Sequence, residues 1–270
     1  MSVASLRIAP HLQIALWQCE PDGDVANNLN RLRAMAEHAA GNGAHLLITP
    51  EMAISGYNID APTARERSDV PDGPIARDVA EIARSWGIAI LYGLPELGPD
   101  DLVRNTIRLV DASGSVVATH HKTHLFGSVD AAAVTAGDAP PPVVDLHGWK
   151  LGLAICYEVE FPELTRSLAL RGADVVCVPT ANMPEYDAVQ TILLPARALE
   201  NQVYVAYANF CGAEGDLHYG GLSEVLAPSG EILARADRTP TLIYADLDRD
   251  TLTRSRSVFT YLDDRNPGVY

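Results

Sequence analysis

KLGLAICYEVEFPE (150–163) is the stretch around which the rest of the chain can be ordered. Apolar residues run through LGLAI without polar alternation, the pattern of a strand buried on both faces. The run breaks at Cys156, where acidic residues begin, and Pro162 is suited to the first turn of a helix that continues through ELTRSLALRG to Gly172. Strand-like and helix-like stretches alternate on either side of it. Downstream, ADVVCVPT (173–180) predicts a strand and ILLPARALENQ (192–202) a helix with Pro195 near its start. VYVAYANFC (203–211), GGLSEVLAPSGEILARA (220–236, turned at Ser229-Gly230) and TLIYADLD (241–248) predict further strands. Residues 249–270 read as a short helix plus an extended tail.

Upstream, LQIALWQ (12–18) is a strand, and Asp24 caps a helix over residues 25–43 that stops at glycines. AHLLITPE (44–51) and IAILYGLPE (88–96) are buried strands separated by an amphipathic helix, IARDVAEIARSWG (75–87). TIRLVDASGSVVATHHKTHLF (106–126) predicts a hairpin turned at Ser113-Gly114. Helices alternating with strands, and hairpins elsewhere, predict mixed α/β architecture with sheets covered by helices. No repeat or linker divides the chain. Pro140-Pro141-Pro142 reads as a stiff loop inside one domain spanning residues 1–270.

Composition narrows the function classes. The 270 residues carry a formal net charge of −15, which disfavours nucleic-acid binding because that needs a cationic face. No apolar run is long enough for a membrane span, and the first residues lack the pattern of a secretory leader, so cytoplasm is the expected location. Cys19, Cys156, Cys177 and Cys211 form no CxxC pair, which argues against a disulfide framework or a zinc ribbon.

Three segments each place a reactive side chain at the end of a predicted strand. LLITPEMAISGYNI (46–59) places Glu51 after a strand, either at a solvated strand mouth or in a pocket where desolvation would make it a base for a thiol. In ATHHKTHLFG (118–127), Lys122 either snorkels to water or stands as a fixed cation beside a thiolate or oxyanion. His120, His121 and His124 invite a metal reading, but their spacing is not the helical HExxH pattern, so no metal is expected. Cys156 is either a packed apolar thiol or a nucleophile at a turn, and its own surroundings leave both open. Cys177 reads as core. A base, a nucleophile and an electrophilic stabiliser together are what thiol catalysis needs. A Cys–His hydrolase using His121 or His124 as base is the chemical competitor.

The same three segments, in this order and spacing, resemble those of the nitrilase, or carbon–nitrogen hydrolase, superfamily. The resemblance runs from LQIALWQ to about Tyr261, with PEMAISGYNI carrying the family's glutamate, HHKTHLFG its lysine and ICYEVEFPE its cysteine. It implies a four-layer αββα sandwich. It also implies homodimers or higher oligomers, with a C-terminal tail from about residue 255 at a subunit interface. GYNI, YGLPE, VPTANM, ARALENQ and YANFCGAEG look like bacterial amidases of the 5-aminopentanamidase and R-stereoselective amidase type. Tyr157 stands where true nitrilases usually have Trp, favouring amides over nitriles. Asp130 stands in for the family's second glutamate, one methylene shorter.

What the resemblance implies is hydrolysis of a small aliphatic carboxamide, such as an ω-amino or guanidino acid amide, through a thioester and without a cofactor. Glu51, Lys122, Cys156 and Asp130 would be catalytic, and the Tyr157 N–H would join Lys122 in the oxyanion hole. Tyr57, Asn182 and Met183 would line the substrate pocket. Glu158, Glu160 or Glu185 would receive a cation, Glu158 alternatively holding the nucleophile turn together. Arg197 and Glu200 would buttress the site. N-carbamoyl amidohydrolase, nitrilase and non-catalytic binding protein are the alternatives.

Overall fold

The structure is a computed structural model and describes residues 9–269. The segment before residue 9, on which the leader reading partly rests, lies outside the described residues. In chain order the first half is β1 (His11–Gln18), α1 (Val25–Gly41), β2 (Leu46–Ile48), α2 (Ala61–Glu66), α3 (Pro74–Trp86), β3 (Ala89–Leu97), β4 (Val103–Val110), β5 (Val116–His121) and α4 (Gly127–Ala133). The second half is β6 (Val143–Leu146), β7 (Trp149–Leu153), α5 (Pro162–Leu170), β8 (Val175–Pro179), α6 (Leu194–Asn201), β9 (Tyr204–Ala208), β10 (Cys211–Glu214), β11 (Leu217–Gly220), β12 (Glu224–Leu226), β13 (Ile232–Arg235), β14 (Thr241–Asp248) and α7 (Arg249–Val258).

Two six-stranded sheets result, with orders β14-β1-β2-β3-β4-β5 and β13-β12-β9-β8-β7-β6. Each has three parallel strands at its centre, β1-β2-β3 in one and β7-β8-β9 in the other. Strand alternation decides what each face meets. On β1, Leu12, Ile14 and Leu16 point into a core shared with Leu151, Leu153, Val175, Cys177 and Ala206 of the other sheet. The intervening Ala15 and Trp17 pack outward with Leu32 and Ala36 of α1 and Val79 and Ile82 of α3. On β8, Val175 and Cys177 face the shared core, whereas Val176 and Val178 pack with Leu164 and Leu168 of α5 and Leu194 and Ala198 of α6. Helices, sheet, sheet, helices: the αββα sandwich follows from buried strands that are apolar on both faces.

The predicted elements differ from the observed ones in particular places. The second strand of the 106–126 hairpin stops at His121. Lys122 N still bonds Asn105 O, but its own carbonyl accepts from Gly137 N, which lies so close to His121 that a side chain there would clash. The run 203–211 is two strands, because the chain leaves the sheet after Ala208 and β10 pairs instead with β11. Helices α2 and α4, and strand β6 just after the proline run, had no counterpart in the sequence reading. Among the described residues no helix is long and apolar enough to cross a membrane.

Gly93 connects the fold to the loop after β2. Its carbonyl accepts from Ile54 N at 3.2 Å, and a Cβ here would strike Met52 N and stand 3.0 Å from Pro50 O. Gly93→Ala is therefore expected to destabilise the fold by about 1–3 kcal/mol in urea unfolding, the usual cost of overpacking. It should also impair whatever Glu51 does. Unchanged stability would show that the loop moves aside freely.

Candidate active site

Four strand ends converge on one edge of the sandwich. Glu51 follows β2, Lys122 follows β5, Cys156 follows β7 and Thr180–Met183 follows β8. Glu51 N donates to Thr180 O at 3.2 Å, tying the ends of the two sheets together. Two residues adopt left-handed backbone here, Met52 (φ 52°) next to Glu51 and Cys156 itself (φ 47°). Non-glycine residues hold this conformation only where their surroundings impose it, and such residues cluster at functional sites. Cys156 opens a 3₁₀ turn, Cys156–Glu160, that throws its side chain off the line of β7.

Lys122 is fully buried, and its Nζ lies 2.7 Å from Glu51 Oε1 and 2.6 Å from Asp130 Oδ2. Its Nζ also stands 5.7 Å from the centre of the Tyr57 ring. Burial by itself would lower the lysine pKa, but Glu51, Cys156 and Asp130 outweigh it and hold Lys122 as an ammonium well above its ordinary range. The shorter Asp130 thus still reaches Lys122, and Phe126 N fixes the same oxygen at 2.7 Å. Burial pushes the Glu51 carboxyl up, opposed by Lys122 and reinforced by Asp130. Glu51 Oε1 also accepts from Asn105 Nδ2 at 2.7 Å, while Oε2 is buried with no hydrogen-bond partner among the described residues. Cys156 lies against this carboxylate. Burial, then the Glu51 charge, push its thiol up, and Lys122, Ala181 N and Thr180 act in the opposite direction. Cys156 therefore holds its proton more tightly than an ordinary thiol, against a Glu51 carboxyl that has one oxygen without a partner among the described residues.

Glu158, read from sequence as a candidate substrate ligand, is turned inward. Its buried carboxylate accepts from Ile155 N at 2.7 Å, Thr123 N at 2.7 Å and Thr123 Oγ1 at 2.6 Å, with His120 Nε2 at 2.9 Å. These bonds tie the turn that carries Cys156 to the loop that carries Lys122, the bracing alternative for this residue. Asn182 is likewise occupied, its Nδ2 donating to Gln190 Oε1 at 3.0 Å. Met183 is buried in the same apolar cluster as Tyr57. Tyr57 OH is buried without a hydrogen-bond partner among the described residues. Tyr157 follows Cys156, its ring 5.4 Å from Phe126 and 4.9 Å from Phe161. Arg197 holds the far side of the turn by donating to Val159 O and Glu160 O. Glu160 is half-buried and Glu185 exposed.

The histidines separate rather than converge. His120 goes to Glu158, His121 Nε2 lies 3.0 Å from Glu96, and His124 packs on the Phe161 ring. Sequence reasoning missed Asn105, an amide in mid-strand with no motif around it. It also missed Glu214, whose Oε2 accepts from Tyr57 N and Asn58 N and so clamps the loop that follows Glu51.

Residues 13–257 match the family model described as carbon-nitrogen hydrolase. The chain belongs to the carbon–nitrogen hydrolase family. This hydrolase is 46% identical over 260 residues to the "Hydrolase in pqqF 5'region" of Pseudomonas protegens, covering 96% of this chain and 90% of that one. It is 33% identical over 245 residues to an (R)-stereoselective amidase of a Pseudomonas species, covering 90% and 87%. Among solved structures, the amidase from Nesterenkonia sp. AN1, a double mutant in complex with acrylamide, superposes with a TM-score of 0.83 at 36% identity, covering 97% and 96%. Another structure of that amidase shows the acetamide moiety of fluoroacetamide added covalently at its active-site cysteine. Amidases thus stand among both the sequence relatives and the solved structures that this carbon–nitrogen hydrolase is similar to.

Burial would raise the Glu158 pKa, but His120 and Thr123 outweigh it and hold the carboxyl below its ordinary value. Its stabilising contribution is therefore complete above about pH 4.3 and is lost as pH falls further, through the folded-state pKa. Glu158→Gln should lower stability by about 1.5–3 kcal/mol at pH 7. The gap from wild type in urea unfolding should narrow below about pH 4. A gap independent of pH would contradict the brace.

Proposed function

We propose that the hydrolase is a cysteine amidase that releases ammonia from small aliphatic carboxamides through a thioester on Cys156. The observation that carries this reading is the contact of Cys156 with the Glu51 carboxyl, one oxygen of which has no partner among the described residues while Lys122 is fixed on the other. As the substrate carbonyl settles near Lys122 Nζ, the Cys156 proton passes to Glu51 and sulfur bonds to the amide carbon. Lys122 and the Tyr157 N–H take the charge of the tetrahedral oxyanion. Glu51 then protonates the departing nitrogen, the C–N bond breaks, and ammonia and a thioester remain. Glu51 next removes a proton from water, hydroxide adds to the thioester, and the proton returns to sulfur as the C–S bond breaks and the carboxylic acid leaves, to ionise in solvent. Asp130 keeps Lys122 in place throughout. Its contact with Lys122 supports this catalytic reading over that of a non-catalytic binding protein.

For the acyl group, we favour a short chain ending in an amine or guanidine. Glu160 supports this: it lies at the end of the nucleophile turn, half-buried, and burial raises its pKa against the pull of Lys122 and Arg197. A substrate cation beside it would offset that cost of burial. We also read residues beyond 255 as a contact between subunits, because Val258, Tyr261 and Val269 leave apolar side chains exposed.

An ammonia-release screen over ω-amino amides, guanidino amides, dicarboxylate monoamides, carbamoyl amino acids and nitriles tests the reading. Activity is expected on amides, highest on the cationic ones, and none in Cys156→Ala. Turnover that survives Cys156→Ala, or activity on nitriles alone, would overturn it.

A further inference from the structure

Asn105 lies on β4 and is 1% exposed. Its Nδ2 donates to the Glu51 oxygen that also accepts from Lys122, each at 2.7 Å. An ionised carboxylate only accepts, so the amide nitrogen must be the atom facing it. The other half of the amide, Oδ1, is buried with no hydrogen-bond partner among the described residues. A buried polar atom left unpaired costs stability, and an apolar residue would fill the same place without that cost. The fold alone therefore gives no reason for an amide here, whereas the contact with Glu51 does. The main chain of Asn105 serves the site as well, its carbonyl accepting from Lys122 N at 2.8 Å.

We propose that Asn105 is a positioning residue for amide hydrolysis: by occupying Glu51 Oε1 together with Lys122, it leaves Oε2 as the one edge free to exchange protons with Cys156 and the leaving nitrogen. The proposal rests on the cysteine-amidase reading above. An unanchored carboxylate would rotate and offer either oxygen to Lys122, losing the alignment on which proton transfer depends. The charged and titratable groups facing Glu51 are Lys122, Asp130, Cys156 and Tyr57, and none of them is altered by a change at Asn105.

Two variants test this. Asn105→Ala removes the donor and the volume, and Asn105→Asp keeps the shape but replaces the amide donor with a carboxylate. Both should lower kcat by about tenfold to a hundredfold, with KM changed far less. The amide donor favours the ionised form of Glu51, so its loss should move the acid limb of the kcat/KM profile to higher pH. The added like charge should move it further in Asn105→Asp than in Asn105→Ala. A space-filling role predicts the opposite order, with Asn105→Asp close to wild type and the acid limb unmoved in both. That result would overturn the proposal. Thermal unfolding shows which variants are folded, and the pH limb is read on any that retain activity. Wild-type turnover that Cys156→Ala abolishes separates the two failures: without it the amidase reading falls, and with it any failure belongs to Asn105.

Discussion

A single ammonium, Lys122 Nζ, is buried between the carboxylates of Glu51 and Asp130, and the rest of the site is arranged by that constraint. Taking a charge out of water is tolerable only when it is closely paired, and removing either partner leaves another charge stranded. One positive charge facing two negative ones leaves the cluster with a net negative balance. Burial above all, and then the Glu51 charge, push the Cys156 thiol up although a lysine stands nearby. A thiolate would add a third negative charge in a place with little water to screen it. In the mechanism we propose, the nucleophile is then released by proton transfer to Glu51 as substrate arrives, when a developing oxyanion gives Lys122 a new partner. Nucleophile, base and cation are in this sense one electrostatic unit.

Holding that unit requires both sheets. Glu51 and Lys122 come from one, Cys156 and the Thr180 segment from the other. The inward-facing side chains of the shared core — Ile14, Leu16, Leu153 and Cys177 among them — set their separation. Crossing contacts then refine it. Glu51 N reaches Thr180 O, and Glu158 joins the turn after β7 to the loop after β5. The left-handed backbone at Cys156 persists because this brace and Arg197 grip the turn from both ends. Strain at the nucleophile is thus offset by hydrogen bonds one turn away.

Much of this was legible in the residues. Continuous apolar runs marked the central strands, and Asp24 and Gly87 bound their helices where capping rules place them, with Gly87 left-handed at φ 64°. Glu51, Lys122 and Cys156 were visible because each follows a predicted strand and because the three segments together match a family pattern. Asn105 was not, since a single amide in a strand looks like any polar strand residue until its neighbour across the sheet is known. Glu158 was ambiguous because position alone does not say which way a carboxylate points. Its direction depends on His120 and Thr123, brought close by the other sheet. Helix α4 escaped notice because Gly127-Ser128 offers no side-chain cap and the helix is one of seven residues, held largely by Asp130 reaching back to Phe126 N. The β10–β11 hairpin was hidden in what reads as a single strand followed by a loop.

The central claim is that Cys156, not another of the four cysteines, carries the acyl group between amide and acid. Acid quenching during turnover of a small amide, followed by peptide mass mapping, measures this directly. The account predicts an adduct with the mass of the acyl group on the peptide containing Cys156, and unmodified Cys19, Cys177 and Cys211. Turnover with no adduct there at any quench time, or an adduct on a different cysteine, would contradict it.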